Sequence, residues 1–201
     1  VGKISKTSTE NALKEYCKSI FGKDVQFNAK VVGDYTSLVY LPEYKLAIDY
    51  SALTDESEEK GGKIWNYKYN KYMAYQKEGI KLINVFEDEW INKSGIVKSV
   101  IANKAKISEN KIYARKCEVR ELSNSEAKIF YYHNHIQDPP HGGTHIGLIY
   151  KDEIVSSISF AKSRFNKEYE YETLRFCNKR DHSVAGALSR LIEYFKETYN
   201  P

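Results

Sequence analysis

Asp49 ends an apolar run, "KLAID", and is followed at once by "YSALTDES", a stretch with two further carboxylates. An unpaired charge at the end of a buried strand is costly. Three arrangements can hold it: a basic partner, solvent at the mouth of a cleft, or a bound cation. The other acid-rich stretches have simpler readings. In "FEDEW", Glu87, Asp88 and Glu89 suit the first turn of a helix, where the dipole favours negative charge. "DESEE" reads as a solvated loop. All the histidines lie from His133 onward: His133, His135, His141, His145 and His182. Imidazoles in "HNHIQDPPHGGTH" are potential metal ligands, yet their spacing matches no established ligand pattern. Pro139, Pro140, Gly142 and Gly143 instead predict an irregular exposed loop there. His135, Asn134 and Gln137 then read as polar groups turned toward DNA or a cleft.

The elements that must position these groups follow from patterning. "SKTSTENALKEYCKSIFG" predicts a helix with Thr7, Ser8 and Thr9 as caps, an apolar stripe of Leu13, Tyr16, Cys17 and Ile20, and Gly22 as its stop. "DVQFNAKVVG" and "TSLVYLPEYKLAIDY" predict strands, with Pro42 in the turn between "LVYL" and "KLAID". A helix over "WNYKYNKYMAYQKEG", a strand at "IKLINVF" and a helix from "EDEW" complete an order α-β-β-α-β-α, a small mixed sheet flanked by helices. The polar stretch near residues 105–112 predicts a boundary, giving domains 1–108 and 109–201. Beyond it, "SNSEAKIFYYHNH" predicts a helix capped by Ser123 or Asn124, and "HIGLIYKDEIVSSISFAK" a hairpin turning at "KDE". "YEYETLRFCN" predicts a strand. "SVAGALSRLIEYFKETY" predicts a helix with Leu188, Leu191, Ile192 and Phe195 on one face.

Bulk properties narrow the function classes. The 201 residues suffice for one large or two small domains with cores of their own. A net charge of +4 permits a nucleic-acid partner without requiring one. The 17 tyrosines, many interleaved with Lys and Arg, suit stacking on bases and equally suit half-buried strands. Cys17, Cys117 and Cys177 are too far apart in sequence for a CxxC site and are odd in number, which predicts reduced thiols rather than a disulfide frame. No apolar run approaches membrane-spanning length and no signal peptide is visible, so neither membrane nor secretion is expected. Because the sequence opens on Val1 rather than Met, it is expected to be trimmed or part of a longer protein.

"LPEYKLAIDY" and "YKYNKYMAYQKEGIKLINVFEDEW" resemble the phage homing-endonuclease-like proteins, whose nuclease domain is similar to the very-short-patch-repair endonucleases, a branch of the PD-(D/E)XK folds. The resemblance covers roughly residues 5–105. It implies a strand-end carboxylate, at Asp49, that binds Mg²⁺ (or Mn²⁺) and lowers the pKa of an attacking water. It implies supporting acids at Glu10 and Glu56, and an electrostatic helper at Lys68. The chain also departs from that pattern: Thr36 and Leu38 stand where relatives carry an acid-x-acid pair, and Glu56 where they carry a His.

Residues 112–201, through "HIGLIYKDEIVSSISFAKSR" and "LRFCNKRDHSVAGALSRL", resemble the acetyltransferase (GNAT) architecture and the phage adenine-modification proteins built on it. That implies a strand-to-helix loop whose helix N-terminus holds a cofactor pyrophosphate, here at Gly186 and Ala187, with a coenzyme A thioester as cofactor. Leu188 occupies a place that wants Gly or Ala. Basic residues expected to track phosphates are Lys71, Arg115, Lys116, Arg120, Lys162, Arg164, Lys179 and Arg180.

Together these features predict an α/β protein: a PD-(D/E)XK-like mixed sheet followed by a GNAT-like α+β domain. The expected activity is Mg²⁺-dependent cleavage of double-stranded DNA, in the cytoplasm of a phage-infected bacterial host. Two alternatives remain: a decayed nuclease that only binds nucleic acid, and a GNAT-like transferase modifying DNA bases or a small molecule.

Overall fold

The computed structural model describes residues 6–52 and 63–200. The chain divides into two compact units, Val1–Val97 and Lys98–Pro201. The division falls inside a helix, several residues before the polar stretch where the sequence predicts a boundary.

The first unit begins with α1 (Lys6–Phe21), ended by Gly22 at a φ of 77° and a single 3₁₀ turn. Three strands follow, β1 (Gln26–Val32), β2 (Tyr35–Leu41) and β3 (Leu46–Ser51). Each runs antiparallel to the one before. The Pro42–Lys45 turn between β2 and β3 closes with Tyr44 N donating to Leu41 O at 3.2 Å. Helix α2 (Lys63–Lys77) then carries the chain to β4 (Lys81–Phe86), which lies parallel to β3. A parallel return of this kind needs a long crossover, and α2 provides it. Gly79, at a φ of 68°, lets Ile80 N donate back to Tyr75 O at 2.9 Å and ends α2. The sheet order is β1-β2-β3-β4, a mixed sheet flanked by helices as the patterning predicts. Helix α3 (Glu87–Lys104) opens on Glu87, Asp88 and Glu89 in its first turn and bends at Lys93.

Register fixes which side chains share a face. Ala47 pairs with Leu82, Asp49 with Asn84, and Ser51 with Phe86. Because successive residues alternate, Leu46, Ile48 and Tyr50 take the opposite face. The Tyr50 hydroxyl meets Thr9 Oγ1 of α1 at 2.6 Å.

The second unit contains β5 (Asn110–Tyr113), β6 (Glu118–Leu122), α4 (Asn124–Asn134), β7 (Thr144–Tyr150), β8 (Glu153–Lys162), β9 (Tyr171–Asn178), β10 (His182–Ala185) and α5 (Ala187–Tyr199). Strands β6-β7-β8-β9 form an antiparallel sheet, and β10 pairs in parallel with β5. Strands β5, β6 and β10 lie in segments whose sequence reads as polar linker or helix. Ser123 caps α4 in a reciprocal box with Glu126. Gly147 is buried in β7, where a Cβ would stand 2.8 Å from the Leu122 side chain. In α5, Leu191 and Phe195 enter the core, with Phe195 stacked on Phe160 at 3.9 Å. Leu188, expected on that apolar face, is 44% exposed.

Candidate functional site

Helix α2 lies over the sheet face that carries Asp49. Its inward line follows the 3- and 4-residue helical spacing: Lys68, Lys71, Tyr75. The Lys71 ammonium donates to Asp49 Oδ2 and, at 2.5 Å, to Thr36 O. Lys71 is 5% exposed, and its ammonium sits 5.6 Å over the Tyr75 ring. Tyr75 is itself fully buried, its hydroxyl 3.0 Å from Ser37 Oγ. Of the three ways to hold the Asp49 charge, the fold uses the basic partner.

Beside this pair opens a cleft of about 590 Å³, lined among others by Asn28, Thr36, Asp49, Tyr67, Lys68 and Asn84. Its floor is a short polar chain: Lys68 Nζ donates to Ser51 Oγ at 3.5 Å, and Ser51 Oγ donates to Asn84 Oδ1 at 3.0 Å. Lys68 also stands 5.6 Å over the Phe86 ring. Two half-exposed rings of α2 line the same cleft, Tyr67 and Tyr72. Tyr67 packs edge-on against Tyr35 at 5.5 Å, and the Tyr72 hydroxyl accepts from Gln76 Nε2 at 2.6 Å. Partial burial, followed by the Asp49 charge, pushes the Tyr67 phenol above its usual range. Neither tyrosine is individually conspicuous in the sequence. The signal was the grouping of Tyr67, Lys68, Lys71 and Tyr72, which a helix brings to one side.

The expected metal centre is corrected by this geometry. Among the described residues, no group of three or more His, Cys, Asp or Glu is placed to hold a metal ion. A hard divalent cation wants several oxygen ligands. Asp49 offers one carboxylate, already bonded to an ammonium. Glu10 lies on α1 and pairs with Lys14 at 2.9 Å. Glu56 lies outside the described residues. Thr36 contributes a backbone carbonyl to Lys71, and Leu38 is apolar. The described residues therefore do not fit Mg²⁺ or Mn²⁺, and the expectation of a metal-dependent DNA endonuclease is overturned. The histidines do not assemble a site either. His145 is buried against Ser159 Oγ at 2.7 Å, and His135 Nδ1 accepts from Gln137 N at 3.0 Å.

The basic residues expected to meet phosphate divide into two groups. Lys71 is buried rather than on the surface. Arg120 donates to Glu126 at 2.7 Å, Arg164 to Glu172 at 2.9 Å and Lys179 to Glu153 at 2.7 Å, and Arg180 stands 3.6 Å from Asp181. Arg115, Lys116 and Lys162 are exposed, with the Arg115 guanidinium 5.2 Å over the Tyr113 ring. Gly186 takes a left-handed conformation at the N-cap of α5, and Ala187 is buried in the core beside Leu191 and Phe195.

No protein-family model matches the chain, and no curated protein matches it. Among solved structures, the chain is similar to the homing endonuclease I-Bth0305I catalytic domain, at 21% identity and a TM-score of 0.39, over 48% of this chain and 91% of that one. No comparison supports an acetyltransferase-like identity for residues 109–201. Among the described residues, no helix is long and apolar enough to cross a membrane.

Proposed function

We propose that the chain binds nucleic acid on a PD-(D/E)XK-like frame and does not cut it. The observation that carries this reading is the seating of Lys71 on Asp49. An internal cation occupies the place at which a hydrolytic centre would need a metal ion, and it neutralises the carboxylate that would otherwise repel a phosphate backbone. What remains beside it is a cleft with aromatic walls and a lysine on its floor, a combination suited to bases and phosphates. The quoted resemblance of "LPEYKLAIDY" and "YKYNKYMAYQKEGIKLINVFEDEW" to homing-endonuclease-like proteins supplies the frame. Exposed Arg115, Lys116 and Lys162 in the second unit provide further positive surface.

The test pairs two measurements on the same preparation. Supercoiled plasmid incubated with the protein stays intact across Mg²⁺ and Mn²⁺. Fluorescence anisotropy with labelled DNA shows binding whose affinity falls steeply with added salt. Metal-dependent nicking that disappears in Asp49→Ala, or no binding at low salt, overturns the proposal.

A further inference from the structure

We infer that the cleft beside the Asp49–Lys71 pair receives a single unpaired nucleobase, so that the protein favours single-stranded or locally unpaired nucleic acid over regular duplex. This rests on the nucleic-acid reading above and names the form of nucleic acid that the cleft takes.

Four observations converge. At about 590 Å³ the cleft falls within the size range of small-ligand sites and has room for a base with part of its sugar. At 100° per residue, Lys71 and Lys68 lie between Tyr67 and Tyr72 around the α2 face, so the two rings flank a cationic strip. Both rings keep a substantial open surface, at 51% and 43% exposure, yet neither hangs loose. Tyr67 is braced on Tyr35 and Tyr72 is tied to Gln76, which lowers the ordering cost of stacking. Below them, Asn84 has its carbonyl oxygen engaged by Ser51, leaving its NH₂ group as the donor for an acceptor on a base edge.

Charge points the same way. Lys68 and Lys71 line the cleft beside Asp49, a lining that suits an anionic phosphodiester and opposes a basic peptide. A regular duplex presents stacked bases with no free face, so a site of flanking rings is reached only by a base that has left the stack. Stacking is tolerant of base identity, and a single amide donor adds little discrimination. Form, rather than sequence, is what such a cleft selects.

The experiment compares three fluorescein-labelled probes by anisotropy at one fixed salt concentration: a 12-nucleotide single strand, its perfect duplex, and the duplex with one unpaired base. The single strand and the interrupted duplex bind roughly tenfold or more tighter than the perfect duplex. Tyr67→Ala and Tyr72→Ala each weaken single-strand binding, by about 5-fold to 100-fold, and leave perfect-duplex binding unchanged. Tyr67→Phe, which keeps the ring, retains affinity. Both positions are half-exposed, and matching melting temperatures verify that the variants fold. If either alanine variant fails to fold, the other and the three-probe comparison still decide. Equal affinity for single strand and perfect duplex, or alanine variants that bind as the parent does, overturns this inference while the nucleic-acid reading stands. Failure to bind any of the three probes overturns both.

Discussion

The two units each bury a polar network, and the two networks obey different physics. In the first, Lys71, Asp49 and the Thr36 carbonyl form a charged cluster under an open cleft. In the second, a chain of neutral groups runs from His145 through Ser159 and Tyr131 to Ser157, at 2.7, 2.7 and 2.9 Å. Ser157, Ser159 and Tyr131 are fully inaccessible. Burial lowers the His145 pKa and pushes the Tyr131 phenol up to about 12, so both stay uncharged. A sealed interior keeps only polar groups that satisfy one another without charge. An ion pair costs much more to bury than such a chain, and an apolar substitute is often as stable. A pair retained beside an open cleft therefore points to a use outside folding, whereas the neutral chain is explained by packing helix α4 onto its sheet.

The largest effect that would sharpen this contrast is at Lys71. Lys71→Met leaves the Asp49 carboxylate half-buried without its cation and lowers stability by about 3 kcal/mol. Adding Asp49→Leu restores most of that loss. Urea denaturation of the two variants measures both, and a harmless Lys71→Met would break the account. Next comes Tyr131→Phe. It strands the Ser157 hydroxyl in a dry core, while Ser159 keeps its bond to His145, at a cost of about 2 kcal/mol by the same measurement. A third test uses pH. The folded His145 pKa lies below the ordinary 6.5, so below that pH the unfolded chain takes up a proton that the folded chain refuses. Its contribution is complete above about pH 6.5 and declines as pH falls toward the folded pKa. Stability measured from pH 7 down to pH 5 shows this slope, and His145→Gln flattens it. The smallest effect lies outside both networks. Ser123→Ala removes the α4 cap and costs about 1 kcal/mol, read as a small drop in melting temperature.

Much of the fold was legible in the sequence. The Gly22 stop of α1, the Ser123 cap of α4, the Pro42 turn and the hairpin at Lys151 and Asp152 follow from local patterning, whereas Thr7, Ser8 and Thr9, expected as caps, lie inside α1, and the first unit has one strand more than the expected order. Strands β5, β6 and β10 were not legible. "NKIY", "EVREL" and "HSVA" are short and carry at least as many polar as apolar residues, so their strand character comes from the partners they pair with. Leu188 was misplaced for a different reason: the buried line of α5 runs through Ala187, Leu191 and Phe195, and Leu188 lies at its edge in the first turn.

Asp49 was the residue that raised the question, and its sequence neighbourhood left three answers open. Composition and periodicity placed it at the end of an apolar strand and put Lys68, Lys71 and the tyrosines on a nearby helix. Nothing local could say which lysine would reach it. That depended on the parallel return of β4 and on the rotation of α2 over the sheet, which brought together residues 22 positions apart. Propensity and alternation act within a few residues. The partner of a charge is decided by where distant elements pack, and only the assembled sheet and helix determined that a lysine would take that place.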